Sequence, residues 1–291
     1  IFSKLFHESG YCRFEAYTSF HPQEPDDWKQ TLLLAKNNTE REVLWQLHGV
    51  YGSPLEGMKN ILAINPASEK NMLLLMRAVN IVEITKVDNQ LDYGYDYIYL
   101  SENEIDTSDQ AKRYSSYSWY SIQKEQNDSL IRLVENAVKT PGIYKPLVWK
   151  TSLAYLYYLN GYKEQARETL KQLNIESISD TLLKGQNKIT EALLFLDQIS
   201  QGNITPSQEE KLLSYLLSFR KPSDNYPLRY DNVHRYILSR LSEYYSKKNE
   251  LVLAEIADSR NDEFYNNEEN TANMISYLEQ HNHRPLENYL V

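Results

Sequence analysis

The chain has 291 residues, 41% of them hydrophobic, enough to bury a sizeable core in one elongated helical domain or two compact ones. Its formal charge is −9, and it has no Lys/Arg cluster larger than Lys247-Lys248, which argues against a nucleic-acid backbone and against an anionic membrane surface as partner. Apolar runs such as Thr31-Leu32-Leu33-Leu34-Ala35 and Met72-Leu73-Leu74-Leu75-Met76 are far short of the roughly 20 residues that cross a bilayer, so no membrane span is expected.

Nine glycines and ten prolines punctuate the chain, most of them where helices should stop. In chain order, an irregular segment over 1–25 is expected first. N-terminal helical hairpins follow over 26–87, with helices near Asp26–Lys36, Thr39–Tyr51, Pro54–Ile64 and Glu69–Lys86. Thr39-Glu40-Arg41-Glu42 reads as a capping box, and Ser68 as the cap of the apolar helix behind it. The stretch 88–109 is rich in Tyr and Asp, lacks a 3.6-residue period and reads as a long connection. Helical repeats are expected over 110–281. Their helices lie around Ser108–Lys124, Ser129–Lys139, Lys145–Leu159, Lys163–Leu173, Thr181–Ser200, Ser207–Phe219, Asp231–Lys247, Glu250–Arg260 and Asn270–Gln280, with Thr205-Pro206 as N-cap and first helical residue. A solvated tail, 282–291, closes the sequence. The opening Ile1, without a charged-then-apolar leader, suggests a fragment or a mature product.

The most informative stretch is Leu153–Leu170, two short amphipathic helices folded across Asn160-Gly161. Small Ala154 and Ala166 let the pair approach, Leu153 and Tyr157 fill the seam, and Gly161 supplies the positive φ of the turn. A second copy is present: Leu238, Leu241, Ser242, Tyr245, Asn249 and Ala254 stand at the offsets of Lys150, Leu153, Ala154, Tyr157, Gly161 and Ala166. Asn249 replaces Gly161 because Asn tolerates the left-handed conformation. Ala154 and Ser242 are 88 positions apart, which with one intervening pair gives about 44 residues per pair, longer than the ~34 of the commonest such repeat.

These residues resemble the tetratricopeptide repeat, and Met58–Pro66 is similar to the end of that repeat's second helix with its terminal proline. The abundance of Tyr and Asn in degenerate hairpins also looks like envelope-associated repeat proteins of Bacteroidetes bacteria, which implies a bacterial periplasm or cell envelope. The expected fold is therefore all-α: an irregular superhelix of stacked hairpins with a Tyr-rich non-helical connection. What the resemblance implies is a scaffold that binds a protein or peptide in a concave groove, without a cofactor.

Catalytic chemistry finds little footing. No Gly-rich phosphate loop and no nucleophile elbow exist. Cys12 is alone, and His281-Asn282-His283 lacks further ligands at metal-site spacing, so no metal is expected. Carboxylate pairs such as Asp26-Asp27, Glu209-Glu210 and Glu268-Glu269 read as solvated helix faces. The candidate partner-binding residues are Tyr93, Tyr95, Tyr97 and Tyr99, which an extended backbone would place on one side. An exposed recognition surface, a loop folded onto the helices, and an edge strand or disorder all remain open for them. The alternative function is a carbohydrate-binding or carbohydrate-processing helical protein of the bacterial envelope, to which the Tyr and acidic content points.

Overall fold

A computed structural model describes residues 2–9, 11–12, 15–16, 19, 25–87, 124–199, 202–220, 228–259 and 263–291. Among the described residues the protein is all-helical, with no strand. The chain divides into two compact units, Ile1–Ile178 and Ser179–Val291. The Tyr-rich connection at 88–109 and almost all of the helix expected at Ser108–Lys124 lie outside the described residues.

In the first unit, α1 (Phe2–Glu8) and α2 (Pro25–Leu33) pack on α3 (Asn38–Tyr51). Phe6, Ala16, Trp28, Leu44 and Leu47 form the cluster that joins them. The segment 1–25, expected to be irregular, thus contains a helix. With seven residues α1 is too short to show a period, and its stability comes from burying Phe6 rather than from propensity.

The start of α3 corrects the expected capping box. Asn37, not Thr39, is the N-cap: its side chain accepts from Glu40 N at 2.9 Å, and Glu40 Oε2 accepts from Lys36 N at 2.7 Å. Glu42 therefore serves elsewhere. Its buried carboxylate accepts from Ser68 Oγ at 2.6 Å and from Asn65 Nδ2 at 3.3 Å, with Lys70 Nζ 3.7 Å away. A carboxylate taken out of water needs such partners, and here they staple α3 to the turn before α5. Ser68, expected to cap that helix, donates its hydroxyl to Glu42 while its oxygen accepts from Lys70 N at 3.4 Å, just ahead of α5 (Asn71–Val87).

Between them runs α4 (Pro54–Ile64), capped by Ser53, whose hydroxyl accepts from Glu56 N at 3.2 Å. It meets α3 at a crossing of two glycines. A Cβ on Gly57 would stand 2.8 Å from Trp45 O and 3.0 Å from Gly49 Cα, and one on either glycine would meet Leu74 at 2.8 Å. Only the absence of both side chains lets the backbones approach with Leu74 wedged beside them. Along α5 the buried residues Asn71, Leu74, Leu75, Ala78, Val79 and Val82 follow the helical period and define its inward stripe.

The unit closes with α6 (Lys124–Lys139), α7 (Pro146–Leu159), α8 (Lys163–Leu173) and a 3₁₀ turn at Ile175–Ser177. Helix α7 is the centre, flanked by α5, α6 and α8, which is why Thr151 to Leu156 are buried without interruption. Trp149, fully buried, donates Nε1 to Tyr144 O at 3.1 Å. Ala154 and Ala166, on the paired helices α7 and α8, are both 0% exposed.

In the second unit, α9 (Thr181–Ile199) is followed by α10 (Pro206–Phe219), α11 (Leu228–Lys247), α12 (Leu251–Ala257), a 3₁₀ turn at Phe264–Asn266, α13 (Glu268–Leu278) and α14 (Pro285–Leu290). The expected cap at Thr205 is present as a full capping box with Gln208. Gly185 on α9 lies under Tyr230 of α11, where any Cβ would collide with the phenol. The segment 282–291, expected as a solvated tail, instead forms α14, which packs on α10 and α12 with Leu286 1% exposed. Its apolar content, essentially Leu286 and Leu290, is too sparse to announce a buried helix in the sequence.

Candidate functional site: a groove beside the first hairpin

The α7–α8 turn has the hydrogen bonds of a Schellman cap. Gly161 N donates to Tyr158 O at 3.0 Å and Tyr162 N to Tyr157 O at 2.9 Å, with Gly161 at φ 80°. The α11–α12 turn repeats the same bonds 88 residues on. Asn249 N donates to Ser246 O at 3.0 Å and Glu250 N to Tyr245 O at 2.9 Å, with Asn249 at φ 61°. The positive φ expected at both positions is present. The bulky residue missing at Lys150 is supplied one place earlier, where Trp149 and its counterpart Ile237 are both 0% exposed.

The turn and the helix before it enclose a shallow groove of about 270 Å³, lined by Asp128, Ile131, Arg132 and Glu135 of α6, Tyr157 of α7, and Tyr162 and Gln165 at the start of α8. The period of α6 explains why these residues meet. Leu130, Ile131, Val134 and Ala137 form its buried stripe, so Asp128, Arg132 and Glu135 fall along one flank of it. Tyr157, at the end of α7, donates its hydroxyl to Glu135. Burial, then the bond to Glu135 and that residue's charge, push the phenol's pKa well above its ordinary value. Tyr157 is therefore a neutral donor at physiological pH. Tyr162, 41% exposed, packs edge-on against it with ring centroids 6.2 Å apart, the apolar contact that accompanies a Schellman cap. Arg132 Nε donates to Asp128 O at 3.3 Å within its own helix.

The groove thus offers an apolar floor, two aromatic rings, two carboxylates and a guanidinium, a lining suited to reversible binding. In the sequence Tyr157 reads as a helix-seam residue, and Asp128, Arg132, Glu135 and Gln165 do not stand out. The available signal is the i, i+4, i+7 spacing of the three charged residues on an amphipathic helix.

Tyr93, Tyr95, Tyr97 and Tyr99, the residues singled out in the sequence, lie outside the described residues. Among the described residues no group of three or more His, Cys, Asp or Glu side chains could hold a metal ion. His281 is exposed, and the His283 ring lies against Tyr277 with centroids 4.5 Å apart. No helix among the described residues is long and apolar enough to cross a membrane.

A second polar cluster ties α14 down. Arg284 pairs with Glu209 of α10 and, through Nε at 2.8 Å and Nη2 at 2.5 Å, with Glu287. Burial raises the pKa of Glu209 more than Arg284 lowers it. At Glu287 burial acts the same way, but the bonds and charge of Arg284 outweigh it and the pKa falls. Two carboxylates with oppositely shifted pKa values can mark an acid–base pair. Here both are bound to one guanidinium that closes a helix contact, which is a structural arrangement. Searched against known protein families, curated proteins and solved structures, the chain matches none.

Proposed function

We propose that the protein is a non-enzymatic binding module, a helical-hairpin repeat protein resembling the tetratricopeptide repeat, that holds a peptide or a segment of another protein. The observation that carries this reading is the groove at Asp128, Ile131, Arg132, Glu135, Tyr157, Tyr162 and Gln165, built beside a hairpin whose turn geometry recurs at Asn249. Rigid aromatic rings beside hydrogen-bonding side chains are the composition of a recognition surface.

A peptide library selected on the full chain tests it. Selected peptides should lose at least about tenfold in affinity when the exposed lining is changed by Tyr162→Ala or Asp128→Lys, since removing one buried or charge-assisted contact is worth that much. Binders indifferent to both changes would place recognition elsewhere and overturn the reading. A second reading, carbohydrate binding, is favoured by the same pairing of Tyr157 and Tyr162 with Asp128, Glu135 and Gln165. It prevails if a glycan array gives binding that those two variants abolish while no peptide is selected.

A further inference from the structure

The two hairpins differ in what lies against them. In the second unit α10 precedes the hairpin as α6 does in the first, and α12 is its second helix as α8 is. Both α10 and α12 hold α14, the short helix headed by Arg284-Pro285-Leu286. Arg284 reaches Glu209 on α10, Leu286 is 1% exposed, and Tyr289 shares a 2.6 Å hydrogen bond with His234 Nε2. Tyr245, at the position of Tyr157, has Arg284 and Glu209 as charged neighbours and is 2% exposed. In the first unit the same position, Tyr157, is only half-buried. Its carboxylate neighbour Glu135 comes from α6 as Glu209 comes from α10, and among the described residues no short helix packs on α6 and α8 as α14 packs on α10 and α12.

We propose that the groove at Tyr157 takes in trans what the second hairpin holds in cis: a short helical segment of a partner protein, led by a basic residue with a leucine two places behind it. The inference rests on the binding-module reading and narrows it to one class of ligand. The basic residue pairs with Glu135 and Asp128 as Arg284 pairs with Glu209, the leucine covers Ile131, and Tyr162 closes over the segment as an exposed aromatic wall. The two carboxylates against the single Arg132 leave the lining net acidic, which favours a cationic head over an anionic one.

The probe is a synthetic peptide copying residues 281–291, titrated by fluorescence anisotropy against the full chain. Saturable binding is expected, weakened about tenfold or more by Glu135→Lys in the protein and, separately, by replacing the peptide's arginine with glutamate. The charge-swapped combination of these two changes should regain most of the affinity, which a merely disturbed groove would not do. Circular dichroism of the Glu135→Lys protein verifies that it is folded. No binding overturns the proposal. So does binding that is indifferent to Glu135 but lost on Glu209→Lys, which would mean exchange with the chain's own α14. Library peptides that need the groove but carry no basic head would overturn this inference and leave the binding-module reading intact. Concentration-dependent dimerisation of the full chain that the peptide competes away would identify a second copy as the occupant and likewise overturn it.

Discussion

His48 shows how one residue's surroundings set a measurable property. Its ring lies 4.8 Å from that of Trp28 and 5.3 Å from that of Trp45, and its Nε2 is 4.0 Å from Glu56 Oε2. Burial lowers its pKa more than Glu56 raises it. The unfolded chain, with an imidazole near pKa ~6.5, then binds more protons than the folded chain just below that value, so stability must fall as pH drops through this window. Denaturation midpoints measured near pH 7.5 and near pH 5 should separate, and His48→Gln should narrow the gap. An unchanged gap in the variant would assign the pH dependence to other groups, His234 first among them, because burial lowers its pKa too.

At the scale of elements, the two hairpin turns make a matched pair of experiments. Gly161 has φ 80° and nothing within 4 Å of a built Cβ, so Gly161→Ala costs only backbone strain, about 1 kcal/mol. Asn249→Gly relieves a milder strain at φ 61° but loosens the unfolded chain, and should change stability by no more than about 0.5 kcal/mol. Equal losses from the two substitutions in urea titrations would refute the equivalence of the turns. Ala154 is 0% exposed on α7, the helix flanked by α5, α6 and α8, so Ala154→Leu should overpack the hairpin and cost roughly 1–3 kcal/mol. A denaturation midpoint unchanged by it would mean that α7 and α8 can separate freely at this point. These elements were legible in the sequence because periodicity, proline and glycine act within a few residues. The bounds of α4 and α8 coincide with the expected ones, and the Thr205 cap is where it was expected. The Asn37 cap was less legible, since Asn37 and Thr39 both have a glutamate three residues on and only the path of the chain before α3 selects between them.

For the whole molecule, the division into Ile1–Ile178 and Ser179–Val291 has a direct consequence. The second unit encloses its own apolar residues, among them Ile189, Leu212, Leu216, Ile237 and Phe264, each no more than 2% exposed. A chain beginning at Ser179 should therefore fold alone, giving a helical circular-dichroism spectrum and one cooperative thermal transition. A featureless melt, or a spectrum dominated by strand, would show that the unit lacks an independent core. Extending that experiment, removal of residues 284–291 from the same chain would delete the buried Leu286 and leave Glu209 without Arg284, and should lower the transition temperature.

The sequence by itself determined the longer helices and the hairpin turns, because a helical period, a cap and a left-handed Gly161 or Asn249 are all decided by neighbours within one or two turns of chain, whereas the short α1 and α14 were left to packing. Only the tertiary structure decided the pairings across distance: Glu42 with Ser68, Tyr157 with Glu135, and Arg284 with Glu209 over 75 residues. Each joins side chains whose types are common in this acidic, Tyr-rich chain, and what singles them out is which helix faces meet. The groove follows the same rule, since its lining comes from three helices and exists only once α6 and the α7–α8 hairpin have packed together.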